Sequence, residues 1–371
     1  MRVLFVSQYG VMAASSRSRV FQYLPHFRRS GVNTRVITVL PDTAIRSSQM
    51  GVTQKPFRKL VYYIWASWRT TMCGLEAWWR ARYVDILFIQ KVIFPCPIRW
   101  LLRHSAATIA FDFDDAIFTT EVRKMNWLAS WKKRRNERGL PAMLKLAELA
   151  VVENPYTAEF ASTYCNVFTI TGPIDTEQYC SLQHASNNTR VVLGWIGSGT
   201  SAQYLDLIRE PLRRLSSRYP GLTFRIIGIK NWTEEGVHVE NKSWSIENEA
   251  TDLQGFDVGL MPITDDPWTR GKGGYKLLQY MAAGLPVVTS PVGINREIVE
   301  DGSSGFWAST PNEWEDRIRR LIDDVGLRRS MGQCGRARVE AKYALVIHQE
   351  RLLTRLRELL DQRPGNSSSV A

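Results

Sequence analysis

Twice in its 371 residues the chain opens a short unbroken apolar run and then alternates such runs with segments of helical periodicity. The first series starts with RVLFV at 2–6, followed by the polar stretch SQYGVMAASSRSR. Val20, Tyr23, Leu24 and Phe27 then recur at helical spacing, Gly31 ends that element, and a second apolar run covers 34–40. Runs at 86–89 and 107–111 flank a helical segment at 97–103, a basic helical segment covers 122–150, and short runs fall at 149–152 and 167–169. Strands without a polar face are buried on both sides, the condition of a parallel sheet sandwiched by helices. The pattern lapses over 172–189, GPIDTEQYCSLQHASNNT, whose turn formers and polar residues mark a linker. VVLGWIG at 191–197 restarts it, with strands expected at 224–227, 258–261 and 286–290 and helices at 208–218, 274–283, 312–324 and 344–361. The expectation is an α/β chain of two Rossmann-like domains, 1–175 and 176–345, then a helix at 346–363 and a disordered tail at 364–371.

Several function classes drop out. The longest aromatic-apolar run, 61–68, is far short of the roughly 20 residues a spanning helix needs. At the N-terminus Ser7 and Gln8 interrupt the apolar run too early for a signal-peptide core, so a cytoplasmic protein is expected. The five cysteines are scattered without the close pairs of a zinc or redox site and are expected to be free thiols. The five histidines show no ligand spacing, and no Gly-x-Ser-x-Gly elbow occurs, so a hydrolase triad is not supported. Net charge is +12, and its location is informative: residues 1–182 hold 24 Lys/Arg and 13 Asp/Glu, whereas 183–371 hold 24 and 23. Such asymmetry fits an anionic partner for the first half, a membrane surface or a nucleic acid.

RGKGGYKLLQYMAAGLPVVTSPVG, 270–293, is the richest constellation. Its glycines permit close backbone approach, and a helix starting near Gly274 directs free N–H groups and its positive dipole end toward the loop. Arg270, Lys272 and Lys276 add full charges suited to a diphosphate, and Gln279 lies one turn beyond Lys276 on the same face. A glycine-rich loop with solvated cations is the plainer alternative. After the restarting strand, the backbone N–H groups of Gly197 and Ser198 are a second candidate for a diphosphate, while Thr200 or Ser201 caps the next helix.

The 270–293 segment resembles the donor-binding core of family 4 glycosyltransferases, retaining enzymes of the two-domain GT-B fold that use nucleotide-diphosphate sugars. Met281 to Val288 and SPVGINREIVEDGSSGF at 290–306 extend the likeness, and the order of elements carries it over most of the chain. The resemblance implies two domains facing across a cleft, a donor site formed by Gly197, Ser198, Glu247, Arg270, Lys272, Gly274, Tyr275, Lys276 and Gln279, and no cofactor beyond the nucleotide sugar as co-substrate. The family usually carries two glutamates seven residues apart, one on the donor sugar and one on the ribose; here those positions are Gly271 and Gln279. An amide still hydrogen-bonds a ribose diol, but Gly271 supplies no carboxylate. By resemblance, Glu247 and Glu249, after Trp244, lie where relatives bracket the nucleotide base.

FDFDDAIF, 111–118, ends a strand in carboxylates at the edge where open α/β sheets bind ligands. By the resemblance Asp114 or Asp115 faces the donor sugar, orienting an acceptor hydroxyl or taking its proton. A divalent cation or a mere turn cap with an ion pair are the competing readings, and no metal is expected. Arg17 and Arg19, with Ser15 and Ser16, follow the first strand at a helix start, where an acceptor or a donor phosphate is met. Cations at a helix N-terminus are electrostatically misplaced, which calls for a nearby anion.

Between 57 and 83, Phe57, Tyr62, Tyr63, Trp65, Trp68, Trp78, Trp79 and Tyr83 interleave with Arg58, Lys59, Arg69, Arg80 and Arg82; a second basic patch, 132–138, follows Trp127 and Trp131. Aromatics beside cations suit the headgroup level of an anionic bilayer, a core stripe with a solvated face being the alternative. The expectation is a glycosyltransferase moving a sugar from a nucleotide sugar to a glycan or lipid-linked acceptor in cell-surface polysaccharide or glycolipid synthesis, peripheral on the cytoplasmic face of the membrane. An epimerase of the same fold and a basic nucleic-acid-binding protein are the alternatives; no RNA-binding motif supports the latter.

Overall fold

The computed structural model describes residues 1–43, 56–119, 127–179 and 190–362. It contains two compact units, Met1–Thr171 with His348–Ala371, and Gly172–Ile347. Part of the expected linker, 180–189, together with 122–126 and the tail at 364–371, lies outside the described residues.

The first unit runs β1 (Arg2–Tyr9), α1 (Ala14–Arg19), α2 (Leu24–Arg29), β2 (Asn33–Leu40), α3 (Pro56–Arg80), β3 (Ile86–Gln90), α4 (Cys96–Arg103), β4 (Thr108–Phe113), α5 (Trp127–Leu144), β5 (Leu149–Val152), α6 (Pro155–Ser162) and β6 (Asn166–Thr169). Its six parallel strands are ordered β2-β1-β3-β4-β5-β6. Every residue of β3, β4 and β5 is buried, as continuous apolar runs require, whereas edge strand β6 is half-covered. Strand order reverses at β1 and β3, where Ser7 stands opposite Gln90.

The second unit runs β7 (Val192–Ile196), α7 (Arg209–Arg218), β8 (Thr223–Ile227), β9 (Val239–Lys242), α8 (Glu249–Leu253), β10 (Val258–Met261), α9 (Pro267–Arg270), α10 (Tyr275–Ala282), β11 (Val287–Thr289), α11 (Asn295–Ile298), β12 (Gly305–Trp307), α12 (Pro311–Asp323) and α13 (Val325–Lys342). The parallel order is β12-β11-β10-β7-β8-β9, with the reversal at β7 and β10. Alternation along β7 serves two cores. Leu193 and Trp195 join Leu212, Phe224 and Trp314 on one face; Ile196 joins Phe256, Leu277 and Tyr280 on the other. α14 (Leu345–Asp361) ends the described chain, and from His348 onward it belongs to the first unit.

The elements that escape the sequence pattern include α1, inside the stretch read as loop-like, and α6, α9, β9, α11, β12 and α13. In α13 the buried face sets Gly332 and Gly335 among Met331 and Val339, so the large-apolar period is sparse. A Cβ on Gly332 would lie 2.0 Å from the Gly284 carbonyl oxygen, and one on Gly335 would lie 3.3 Å from Met281. Asp324 starts the helix by accepting from the Leu327 amide.

One ion pair closes the carboxyl end of the first sheet. Arg19, at the end of α1 and 1% exposed, reaches Asp112 of β4 with Nη2–Oδ2 at 2.5 Å and Nε–Oδ2 at 3.0 Å, and donates through Nη1 to the Ile170 carbonyl at 2.7 Å. The expectation that Arg19 contacts an acceptor is thereby corrected: the anion its awkward position called for is a carboxylate of its own sheet. Removing one member strands a buried charge. Asp112→Ala is expected to cost about 3–5 kcal/mol in urea unfolding, and a paired Arg19→Met/Asp112→Leu replacement to recover most of it.

Candidate functional site

In open parallel sheets ligands collect beyond the carboxyl ends of the strands, at the order reversal. In the second unit the chain leaves β7 at Ile196 and turns at Gly197. The Gly197 amide donates to the Ile227 carbonyl at 2.9 Å, completing the ladder, so that N–H is not available to a diphosphate, contrary to expectation. The glycine is needed for space instead. A Cβ there would lie 2.5 Å from the Lys276 Nζ and 2.5 Å from the Trp195 ring.

Lys276 is half-buried in the first turn of α10. Its ammonium lies 4.1 Å from the Trp195 ring centroid and 3.4 Å from Ser201 Oγ, and among the described residues no carboxylate pairs with it. Burial, reinforced by the charge of Lys272, lowers its pKa from 10.5 to about 7. The Lys272 ammonium stands 5.9 Å from the Tyr204 ring and 5.6 Å from the Trp268 ring. Gly274 precedes α10 in the left-handed region, φ +68°, a conformation that glycine adopts without strain. The start of α10 therefore joins two ammonium groups, aromatic walls and the positive end of a helix, an arrangement that attracts an anion.

The neighbouring loops are tied down. Arg270 pairs with Asp265 at 2.6 Å, so its charge is already matched. The Ile263 amide donates to Ser290 Oγ at 3.0 Å, and Asn295 Nδ2 donates to Thr289 Oγ1 at 3.0 Å and to the Ser290 carbonyl at 3.2 Å. Gln279, 4% exposed, donates through Nε2 to the Tyr179 hydroxyl at 3.0 Å. That hydroxyl donates to Glu249 Oε1 at 2.8 Å, while Trp244 Nε1 donates to Glu249 Oε2 at 2.6 Å. Gln279 and Glu249 thus belong to a buried polar chain, and Glu247 is exposed. The Ser198 and Thr200 hydroxyls face each other at 2.7 Å on the surface. Tyr275 is half-buried against the α10 side of the core.

In the first unit, Lys91 follows β3 with φ +62° and reaches Asp114 Oδ1 at 2.5 Å and Asp115 Oδ2 at 2.9 Å. Burial opposes ionisation of Asp114, but the Lys91 ammonium outweighs it and holds the carboxyl below the usual carboxylate range. Asp114 is consequently a weak base, better suited to accepting a hydrogen bond than to taking a proton. Gln90 organises the loop after β1: Nε2 donates to Ser15 Oγ at 3.0 Å, and Oε1 accepts from Ser16 Oγ at 3.0 Å. Arg17 remains half-exposed, its Nη1 3.3 Å from the Val11 carbonyl. Among the described residues no group of three His, Cys, Asp or Glu side chains is arranged to hold a metal.

Sequence reasoning missed Lys91, Gln90, Trp195 and Glu153. Glu153 follows β5 and is buried; its pKa is pushed up to about 8, first by burial and further by Asp114, Asp115 and Asp112, with Arg19 opposing. The carboxyl is therefore protonated at neutral pH. The cue was present, since an acid ending the apolar strand LAVV lies at the same sheet edge as FDFDD.

Two outcomes follow from this packing. Gly197→Ala is expected to cost about 1–3 kcal/mol in urea unfolding, because the added methyl overlaps the Trp195 ring as well as the lysine. A raised carboxyl pKa stabilises below the unfolded value near 4.5 and loses that contribution as pH rises toward 8. Glu153→Gln is accordingly expected to raise the thermal midpoint over wild type at pH 8, with the difference shrinking toward pH 5.

Residues 190–324 match the family model described as "Glycosyl transferases group 1". The α-1,3/1,6-mannosyltransferase ALG2 of Rhizomucor pusillus is 32% identical over 99 residues, 26% of this chain and 22% of that protein. The chain spans about a fifth of the length of the curated relatives it matches. Among solved structures, sucrose-phosphate synthase from Thermosynechococcus elongatus superposes with TM-score 0.69 at 14% identity, covering 98% of this chain and 100% of that one. Anabaena Alr3699/HepE in complex with UDP and glucose gives 0.67 at 13% identity, covering 96% and 100%. At these identities the likeness is one of fold, and the fold is the two-domain GT-B fold of glycosyltransferases.

Proposed function

We propose that the protein is a glycosyltransferase that takes its sugar from a nucleotide-diphosphate sugar and binds the diphosphate at the start of α10. The observation that carries this reading is Lys276: an ammonium half-buried against Trp195, beside Lys272, without a carboxylate partner among the described residues. A diphosphate supplies the missing charge, and the same two cations then favour departure of the nucleotide diphosphate as negative charge builds on it. The match of 190–324 to glycosyl transferases group 1, and the UDP and glucose held by the Anabaena protein of the same fold, support the donor class. Gln279 takes the place of the ribose-binding glutamate of the family it resembles, now working through the Tyr179 and Glu249 chain. Transfer proceeds with retention of the anomeric configuration, without a metal or further cofactor. The first unit receives the acceptor near Arg17, Asp114 and Asp115. That acceptor is a glycan or lipid-linked glycan of cell-surface polysaccharide or glycolipid assembly on the cytoplasmic side.

The linkage has a definite sign. With its pKa near 7, Lys276 is largely neutral at pH 8, so binding a diphosphate there requires proton uptake. Both phosphates of a nucleotide sugar are diesters, ionised throughout this range, so they contribute no pH dependence of their own. A thermal-shift screen of UDP, GDP, ADP and dTDP sugars is expected to reveal the donor. Its Kd, measured by calorimetry, is expected to weaken between pH 6.5 and 8.5, approaching tenfold per pH unit at the upper end. Lys276→Met is expected to weaken binding roughly 10- to 100-fold and to flatten that dependence. A donor bound equally well by the Lys272→Ala/Lys276→Met variant would overturn the diphosphate assignment. Proton NMR of the product tests retention, and an inverted anomer would remove that part of the proposal.

A further inference from the structure

Of the twelve large apolar side chains that the described residues leave exposed, nine lie on α3, on the single turn after it and on α4. Scattered apolar residues need no explanation, but a contiguous stripe does. Leu60, Ile64, Trp68, Leu75 and Trp79 follow one another at helical spacing along α3, and Tyr83 prolongs the line. Ile64 is 63% exposed, Trp68 57% and Trp79 53%; Trp100 of α4, 62% exposed, adds a fourth bulky group. From Leu60 to Trp79 the stripe runs over roughly 28 Å of the 25-residue α3.

The opposite face anchors α3. It buries Cys73, Ala77 and Ala81, with Gly74 so close to α4 that a Cβ would lie 2.6 Å from Ile98. Arg69 fastens the helix to β2 through the carbonyls of Thr38, at 3.2 Å, and Val39, at 3.4 Å. The charges around the stripe are one-sided. Arg58, Arg82 and Arg103 are exposed, and the one acid of α3, Glu76, is already paired with Arg80 at 2.9 Å. Half the chain, 1–182, carries 24 Lys/Arg against 13 Asp/Glu. No described helix is long and apolar enough to cross a membrane.

We propose that the outer face of α3 and α4 docks flat on an anionic lipid bilayer, its tryptophans and aliphatic side chains entering the headgroup boundary and its arginines meeting lipid phosphates. A lipid surface fits better than a second copy of the chain, because a symmetric pairing would bring like-charged arginines together. The inference rests on the first unit alone and stands apart from the donor site, although a lipid-linked acceptor depends on it.

Co-sedimentation of the full chain with vesicles tests it. Wild type is expected to pellet with vesicles of equal phosphatidylglycerol and phosphatidylcholine at 50 mM NaCl, and at least tenfold less with pure phosphatidylcholine or at 500 mM NaCl. Trp68→Glu/Trp79→Glu is expected to lower partitioning at least tenfold while leaving the thermal midpoint and nucleotide-sugar affinity unchanged, so failure here and failure of the donor reading are distinguishable. Arg58→Glu/Arg103→Glu, which leaves every apolar side chain in place, is expected to lower it several-fold even if the tryptophan variant fails to fold. Wild type that stays in the supernatant overturns the proposal, as does undiminished binding by both variants. A wild-type dimer in sedimentation velocity that Trp68→Glu/Trp79→Glu converts to monomer, without vesicle binding, assigns the face to self-association instead.

Discussion

Both sheets are wholly parallel, and a parallel sheet buries its two faces under helices. Polar chemistry is thereby driven to the strand ends. Several residues of the two edges follow strand ends, Gly197 after β7, Lys91 after β3, Asp114 after β4 and Glu153 after β5, while Lys276 lies at the start of the helix that leads into β11. Within each unit the reversal of strand order opens space at one edge, and the side chains around it are held by ladder bonds such as the one from Gly197 to Ile227.

The two edges treat their charges differently. In the first unit cations and carboxylates neutralise one another: Arg19 with Asp112, Lys91 with Asp114 and Asp115. That edge is assembled before any ligand arrives. In the second unit Asp265 satisfies Arg270, while Lys276 lies against the Trp195 ring, its charge suppressed by burial and by Lys272. The difference between the edges is that the first pairs its cations with its own carboxylates, whereas among the described residues no carboxylate pairs with Lys276.

Continuous apolar runs made most strands and the two-domain organisation legible from sequence, because strands buried on both faces leave that signature. The glycine-rich loop and its lysines stood out in the sequence for a chemical reason, as residue types suited to an anion. What could not be seen were partners set by long-range register. Arg19 looked available until Asp112, 93 residues away, closed over it, and Gln279, read as a ribose contact, donates its amide to Tyr179, 100 residues away. Helix α13 was hidden because glycines, rather than large apolar side chains, make its closest contacts. In the aromatic-rich segment the composition was plain, but which tryptophans face outward depends on where α4 packs.

The lowered pKa of Lys276 also bears on its chemistry as an amine. An ordinary lysine, with a pKa near 10.4, is almost wholly protonated at pH 7.5, whereas a group titrating near 7 presents an unprotonated amine to a large part of the molecules. Desolvation beside a second cation is the setting that activates lysines toward carbonyl carbon. An aldehyde that also carries a phosphate combines an electrophile for the amine with an anion for Lys272. Such a reagent would mark this lysine ahead of its exposed counterparts.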